Sequence, residues 1–323
     1  MFRAILTAAA ALTLGLAASP AWSQTYPDRP ITLVVPFVPG GSASIVARSI
    51  ADKMSEVLGQ QVVIDNRGGA GGTIATRAVA KAPPDGYTVL VTTGATVSAG
   101  PSLNPDVGYD PRKDLQPIGM FVETPNVLAA HPSLAVGSVA ELIKLGRAVP
   151  EAIPYGSPGV GTLNHLTGEL IAHKTGIKMI HVPYKGAAPA LNDLLGGHIK
   201  LLVTAIPTSA SQLAAGTIRP LAITGSKRSP MLPAVPTFVE AGLPGIDVPL
   251  RFGLATPAGT PRPIVDKLNK ALNTALASEE VRKRLAAEGA EPAPSTPEEY
   301  AQIIDRELTL WSTLVKETGI KPN

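Results

Sequence analysis

Two glycine-bearing turns hold the residues best suited to chemistry in this chain. Pro36-Phe37-Val38-Pro39-Gly40-Gly41-Ser42 and Tyr155-Gly156-Ser157-Pro158-Gly159-Val160-Gly161-Thr162 each join a strand-like run to a helix-patterned stretch. A helix starting there leaves backbone N–H groups unpaired and sets the positive end of its dipole beside them. Glycine lets a ligand approach the backbone, and Ser or Thr adds a hydroxyl. The chemistry favoured is the holding of a carboxylate, gripped from both sides of a cleft when the turns lie on facing lobes. Either turn alone reads equally well as a tight strand-to-helix connection, and the pair is the stronger signal. The second turn ends Gly161-Thr162 where a phosphate loop needs Gly-Lys-Ser/Thr, and a dinucleotide fingerprint is absent. A third cluster, Gly68-Gly69-Ala70-Gly71-Gly72, reads mostly as another glycine-shaped turn, with Arg67 a solvated or structural charge.

The common catalytic arrangements are missing. The chain has no Cys, which removes thiol chemistry and disulfides. Its five histidines, His131, His165, His173, His181 and His198, stand in no metal-binding spacing. No Gly-x-Ser-x-Gly elbow occurs, and paired carboxylates near the turns are not evident. His165 falls in the first helical turn after Thr162 and is the one histidine placed near the cleft; it reads equally as a helix-packing residue. The expectation is a binding protein and not an enzyme, with no metal and no cofactor.

The elements that must position these turns follow from periodicity. Short apolar β-rich runs alternate with amphipathic stretches, the pattern of an α/β protein with mainly parallel sheets flanked by helices. Strands are expected at Ile31–Phe37, Gln61–Asn66, Tyr87–Thr92, Asn126–Ala130, Ile153–Gly156, Met179–Val182, Lys200–Val203 and Leu221–Thr224. Helices are expected over Ile45–Leu58, Leu163–His173, Ala187–Leu195 and from Arg262 onward. Thr296-Pro297-Glu298-Glu299 has a hydroxyl cap, Pro at the first helical position and Glu three residues after the cap, and its helix should stop near Glu317, before Gly319. The C-terminal helices need a sheet to cover, and the first lobe offers one. The chain then crosses between lobes twice, near Glu123–Asn126 and Val248–Gly253, giving one lobe from residues 24–124 plus 250–323 and a second from 125–249.

At the front, Arg3 precedes an apolar run from Ala4 to Ala18 and small residues at Ala21 and Ser23, which reads as a signal peptide over residues 1–23. An uncleaved anchor is the alternative. With no Cys after the cleavage point, lipid anchoring through cysteine is excluded. Over the full chain 28 Lys and Arg face 25 Asp and Glu, with the basic residues scattered and aromatics scarce, so nucleic acid is not an expected partner.

The segments Tyr26-Pro27-Asp28-Arg29-Pro30-Ile31, Val35–Arg48, Asn66–Gly72, Pro84-Asp85-Gly86-Tyr87-Thr88, Tyr155–Leu166, Val182-Pro183-Tyr184-Lys185-Gly186, Leu232–Gly242 and Thr256–Pro261 resemble, in order, the Bug-type periplasmic solute-binding receptors of tripartite tricarboxylate transporters. The resemblance implies a two-lobed periplasmic binding protein with two crossing segments, a small carboxylate ligand and membrane subunits of a transporter as partners. It implies periplasmic location and a monomer; a sensor kinase reading lobe closure is the alternative partner, and a periplasmic enzyme acting on a carboxylate a weaker one. Carried over by position, Phe37, Gly40, Gly41 and Ser42 would meet the ligand from the first loop and Ser157, Gly161, Thr162 and His165 from the second, with Thr93 and Thr96 as wall residues. The family holds its carboxylate largely through backbone groups, hydroxyls and water. Ser44 and Thr204 stand where many relatives have acids, and Arg251 where many have an aromatic residue. These departures imply a less negative cleft, and a ligand that is bulkier than an amino acid or carries a second anionic group near Arg251, unless Arg251 points to solvent beside the hinge.

Overall fold

A computed structural model describes residues 26–149 and 151–320. The signal peptide expected over residues 1–23 lies outside the described residues. The strands are β1 (Ile31–Val35), β2 (Val62–Asn66), β3 (Thr88–Thr93), β4 (Leu115–Thr124), β5 (Asn126–Ala130), β6 (Ile153–Ser157), β7 (Met179–Pro183), β8 (Leu201–Ala205), β9 (Arg219–Ile223), β10 (Leu250–Pro257) and β11 (Glu291–Pro292). They form a six-stranded sheet in the order β11-β4-β10-β3-β1-β2 and a five-stranded sheet in the order β7-β6-β8-β5-β9. The chain leaves the first sheet through Pro125, between β4 and β5, and has returned to it by Leu250.

The α/β class and the two sheets agree with expectation, but the strand directions need correcting. β1 runs parallel to β2 and β3, and β6 parallel to β7 and β8. β10 is antiparallel to β3 and β4, β11 to β4, and β5 to β8 and β9, so each sheet is mixed and not mainly parallel. Parallel neighbours need a crossover, normally a helix. β4, β5 and β10 carry the chain between sheets, so their direction is set by the crossings. Residues Leu250–Gly253, read as a crossing, already belong to β10.

In the first sheet the faces are assigned by alternation. Leu33, Val35, Val89, Val91 and Leu254 pack with α1 (Ser42–Leu58) and the helix Arg262–Ala277. Val34, Leu90 and Ala255 face the other way, onto Ala75, Val79, Tyr300, Ile304 and Leu308. α1 presents Val46, Ile50, Met54 and Leu58 on one buried stripe and stops at Gly59, whose φ of 71° is the left-handed conformation glycine tolerates. The last helix, Pro297–Thr318, starts with the expected Thr296–Glu299 capping box and ends at Gly319. In the second sheet the helix Leu163–Thr175 covers one face, and Ala187–Leu195 with Ile206–Ala214 covers the other.

Candidate functional site

The two glycine turns face each other across a cleft between the sheets. The six-stranded side supplies Phe37, Gly41, Ser42 and Ala43 from the first turn, Thr93 and Ala95 after β3, and Leu250 and Phe252 from β10. The five-stranded side supplies Pro158, Thr162, Leu163 and Asn164 from the second turn, and Ala187. None of these lining residues is ionisable. Any anion here is met by backbone dipoles and neutral side chains.

Three helices begin at this cleft. In α1 the N–H groups of Ser44 and Ile45 reach back to the Gly41 carbonyl, and Gly41 offers no side-chain cap, so the N–H groups of Ser42 and Ala43 have no intrahelical acceptor. In Leu163–Thr175, His165 N–H donates to Thr162 Oγ1 at 3.2 Å and Leu166 N–H to the Thr162 carbonyl at 3.1 Å, which leaves Leu163 and Asn164 in the same position. Ala187 opens the third helix, and a Cβ built on Gly41 would lie 3.8 Å from its backbone nitrogen. Each helix start carries roughly half a positive charge. Two opposed sheets thus aim unpaired N–H donors at one space.

The expected site residues divide into those on the wall and those behind it. Phe37, Gly41, Ser42, Thr93 and Thr162 line the cleft. The Thr93 hydroxyl is buried there, and beyond a capping contact with the Thr96 N–H it has no hydrogen-bond partner among the described residues. Gly40 stands at the rim with φ of 85°, where a Cβ would sit 3.2 Å from that of Ala188 across the cleft. Thr96 is committed to its own turn, accepting from Thr93 N–H at 2.9 Å. Ser44 is buried behind the first loop, its Oγ 3.4 Å from Asn66 Oδ1, while Asn66 Nδ2 donates to the Phe37 carbonyl at 2.9 Å. Thr204 is buried in β8, its hydroxyl has no partner among the described residues, and it does not line the cleft.

The placement of Arg251 in the cleft needs correcting. Alternation along β10 turns Leu250 and Phe252 to the cleft and Arg251 to the opposite face, beneath the last helix. Its guanidinium donates to Glu123 at 3.0 Å and to Glu307 at 2.6 Å. It is a structural ion pair beside the crossing segment, not a charge presented to a ligand.

Ser157, Gly161 and His165 also stand behind the lining. Ser157 Oγ accepts from Gly159 N–H at 3.2 Å and lies 2.6 Å from His181 Nε2. Thr162 Oγ1 donates to the Gly159 carbonyl at 2.7 Å, and Gly161 N–H donates to His165 Nδ1 at 3.4 Å. The two imidazoles stack at 4.0 Å between centroids. Burial pushes the His165 pKa down to about 3, with His181 adding a smaller Coulombic effect, and burial pushes His181 down to about 4. Both rings are neutral near pH 7.

Sequence reading missed Asn164, Leu250 and Phe252 on the wall, and His181 behind it. The Asn in the first turn of the second helix was the available signal. Its Nδ2 donates to Asn126 Oδ1 at 2.8 Å, tying the loop to the crossing strand. The third glycine cluster does more than shape a turn: a Cβ on Gly71 would come within 2.3 Å of the Val160 carbonyl oxygen. Only glycine lets these two rims meet. Among the described residues, no group of three or more His, Asp or Glu is placed to hold a metal ion, and no helix is long and apolar enough to cross a membrane.

Residues 46–320 match the family model described as the tripartite tricarboxylate transporter family receptor. Protein BugT of Bordetella pertussis is 40% identical over 310 residues, which cover 96% of this chain and 95% of BugT. Among solved structures, Rpa4515 of R. palustris, determined with adipate, is 41% identical with a TM-score of 0.89, over 92% of this chain and 100% of that one. MatC from Rhodopseudomonas palustris, with bound malate, is 35% identical with a TM-score of 0.86, over 90% of this chain and 100% of that one.

Proposed function

Because the chain belongs to the tripartite tricarboxylate transporter receptor family, we propose that it is a periplasmic solute-binding protein that captures a small organic acid in the cleft and delivers it to the membrane subunits of a tripartite transporter. The observation that carries this reading is the convergence of helix starts from two sheets on one cleft with no ionisable lining residue. The acid's carboxylate accepts from the N–H groups of Ser42 and Ala43 on one side and Leu163 and Asn164 on the other. The Ser42 and Thr93 hydroxyls add neutral contacts. Two solved neighbours carrying adipate and malate support a carboxylate as the ligand class.

Residues 24–124 with 250–323 form one lobe and 125–249 the other, hinged where the chain crosses at Pro125 and near Pro249. A carboxylate that bridges both helix starts interacts more strongly with the closed state than the open one, and only that difference shifts the equilibrium toward closure. Residues 1–23 direct export and are removed. No step of bond making is assigned to the site: the groups around it orient and hold.

The test is a thermal-shift screen of the mature protein against mono-, di- and tricarboxylates, followed by calorimetric titration. One acid bound per chain, with stabilisation that grows with its concentration and no consumption on prolonged incubation, is the expected result. No shift with any acid, or turnover of one, would sink the proposal.

A further inference from the structure

Behind the second turn lies a buried polar unit that no ligand contact requires. His181 projects from β7 beside Tyr155, its register partner on β6, with ring centroids 5.1 Å apart. His165 comes from the first turn of Leu163–Thr175 and stacks on His181 at an interplanar angle of 25°. The hydrogen-bond pattern fixes the tautomers. Gly161 N–H donates to His165 Nδ1, so the His165 proton sits on Nε2, which has no hydrogen-bond partner among the described residues. Placing the His181 proton on Nε2 makes it a donor to Ser157 Oγ, which then donates to the Gly159 carbonyl. The alternative adds a second buried N–H without an acceptor to that of His165 Nε2, because His181 Nδ1 has no partner among the described residues. An unmet donor is the costlier orphan. The result is one continuous chain, His181 Nε2–H to Ser157 Oγ–H to the Gly159 carbonyl, which also accepts from Thr162 Oγ1.

The backbone of this turn would not hold its shape unaided. Gly159 and Gly161 have φ of 142° and 76°, and a segment with two such glycines samples many conformations when released. The unit touches the turn at Ser157, Gly159 and Gly161, just ahead of the Leu163 and Asn164 N–H groups that face the cleft. Burial holds the rings neutral, and the stack and hydrogen bonds hold them in place. Tyr155 hydroxyl donates to Glu169 Oε1 at 2.6 Å, and that carboxylate stands 3.9 Å from His165 Nε2.

We propose that His181 and His165 are positioning residues that pre-shape the second turn for its ligand, His181 through Ser157 and His165 through Gly161, without touching the ligand themselves. The inference rests on the receptor reading for its consequence, since a turn ordered in advance loses less entropy when the acid arrives. Its structural half is independent of any ligand.

The experiment compares His181→Phe, which keeps a ring in the stack but not the hydrogen bond, with His181→Gln, whose amide can reach Ser157. In the ligand-free protein, amide exchange across residues 159–164 is expected to be at least tenfold faster in His181→Phe. Exchange in the six-stranded sheet should be unchanged, and His181→Gln should restore most of the protection. Wild-type exchange in His181→Phe, or an equal rise across the whole molecule, overturns the proposal. With adipate as probe, affinity should fall at least tenfold in His181→Phe, and adding Ser157→Ala to it should cost less than a further twofold because both act through one path. Additive losses overturn that path. If the wild-type chain binds neither adipate nor any other acid, the receptor reading falls, while the exchange comparison still decides the turn's architecture.

Discussion

The turn before Ser42–Leu58 leaves its hydroxyl free and is held from outside, whereas the turn before Leu163–Thr175 uses its hydroxyls to hold itself. Gly41 gives α1 no side-chain cap, and Ser42 makes no side-chain hydrogen bond to any described residue. Asn66 fastens the Phe37 carbonyl from the neighbouring strand. In the second turn Ser157, Thr162 and both histidines close a network on Gly159 and Gly161. The lesson is that the same helix-start chemistry is reached by two routes with different vulnerabilities. Damage to the second turn should unsettle both fold and binding, and damage to the first should reach binding alone.

Acid should expose the contrast most strongly. The folded pKa values of His165 and His181 lie near 3 and 4, below the ordinary 6.5, so the unfolded chain binds more protons between those limits. Stability from this pair is full above about pH 6.5 and is lost progressively as pH falls toward 4. Urea midpoints measured across that window should drop in the wild type and drop less steeply in His181→Gln. Parallel curves would remove the pair from the acid response.

Thr162→Val comes next. It deletes the cap to His165 N–H and the bond to the Gly159 carbonyl, and should cost about 1–2 kcal/mol of ligand-free stability in urea unfolding. Acid affinity should fall with it. A variant of unchanged stability would mean that the second turn is as externally supported as the first. Ser42→Ala should instead weaken acid binding by about 0.5–1.5 kcal/mol in calorimetry. Its ligand-free stability should stay within about 0.5 kcal/mol of wild type. If its unfolding midpoint falls as far as that of Thr162→Val, the contrast between the turns fails.

The smallest effect on binding is expected from Arg251→Ala. The guanidinium is committed to Glu123 and Glu307 on the face away from the cleft, so affinities for mono- and dicarboxylates should each change less than twofold. A selective loss of dicarboxylate binding would return Arg251 to the ligand.

Much of the architecture was legible because local rules happened to agree with tertiary ones. Thr296 and Glu299 announce a helix start through a bond they make with each other, and Gly319 ends it by a conformation other residues avoid. The β-branched run at Ile31–Val35 reads as a strand from its own residues. β4 and β10 were not read as strands because Pro117, Gly119, Pro249 and Gly253 interrupt their pattern. They are strands because each pairs with the other across more than a hundred residues of sequence. Gly253 is itself part of that packing, since the ring of Tyr300 occupies the place of a Cβ.

The site divided in the same way. Sequence alone determined the two glycine turns, the helix starts behind them and the absence of thiol chemistry, since each depends on residue types within a few positions of one another. Only the tertiary structure decided which hydroxyls reach the cleft and which hold the backbone. It also decided that Arg251 faces away, that Gly71 admits the Val160 carbonyl, and that His181 stands beneath Ser157. Those outcomes depend on strand register and on which lobe lies opposite. A one-residue change of register turns a side chain to the other face, and no local pattern fixes that choice.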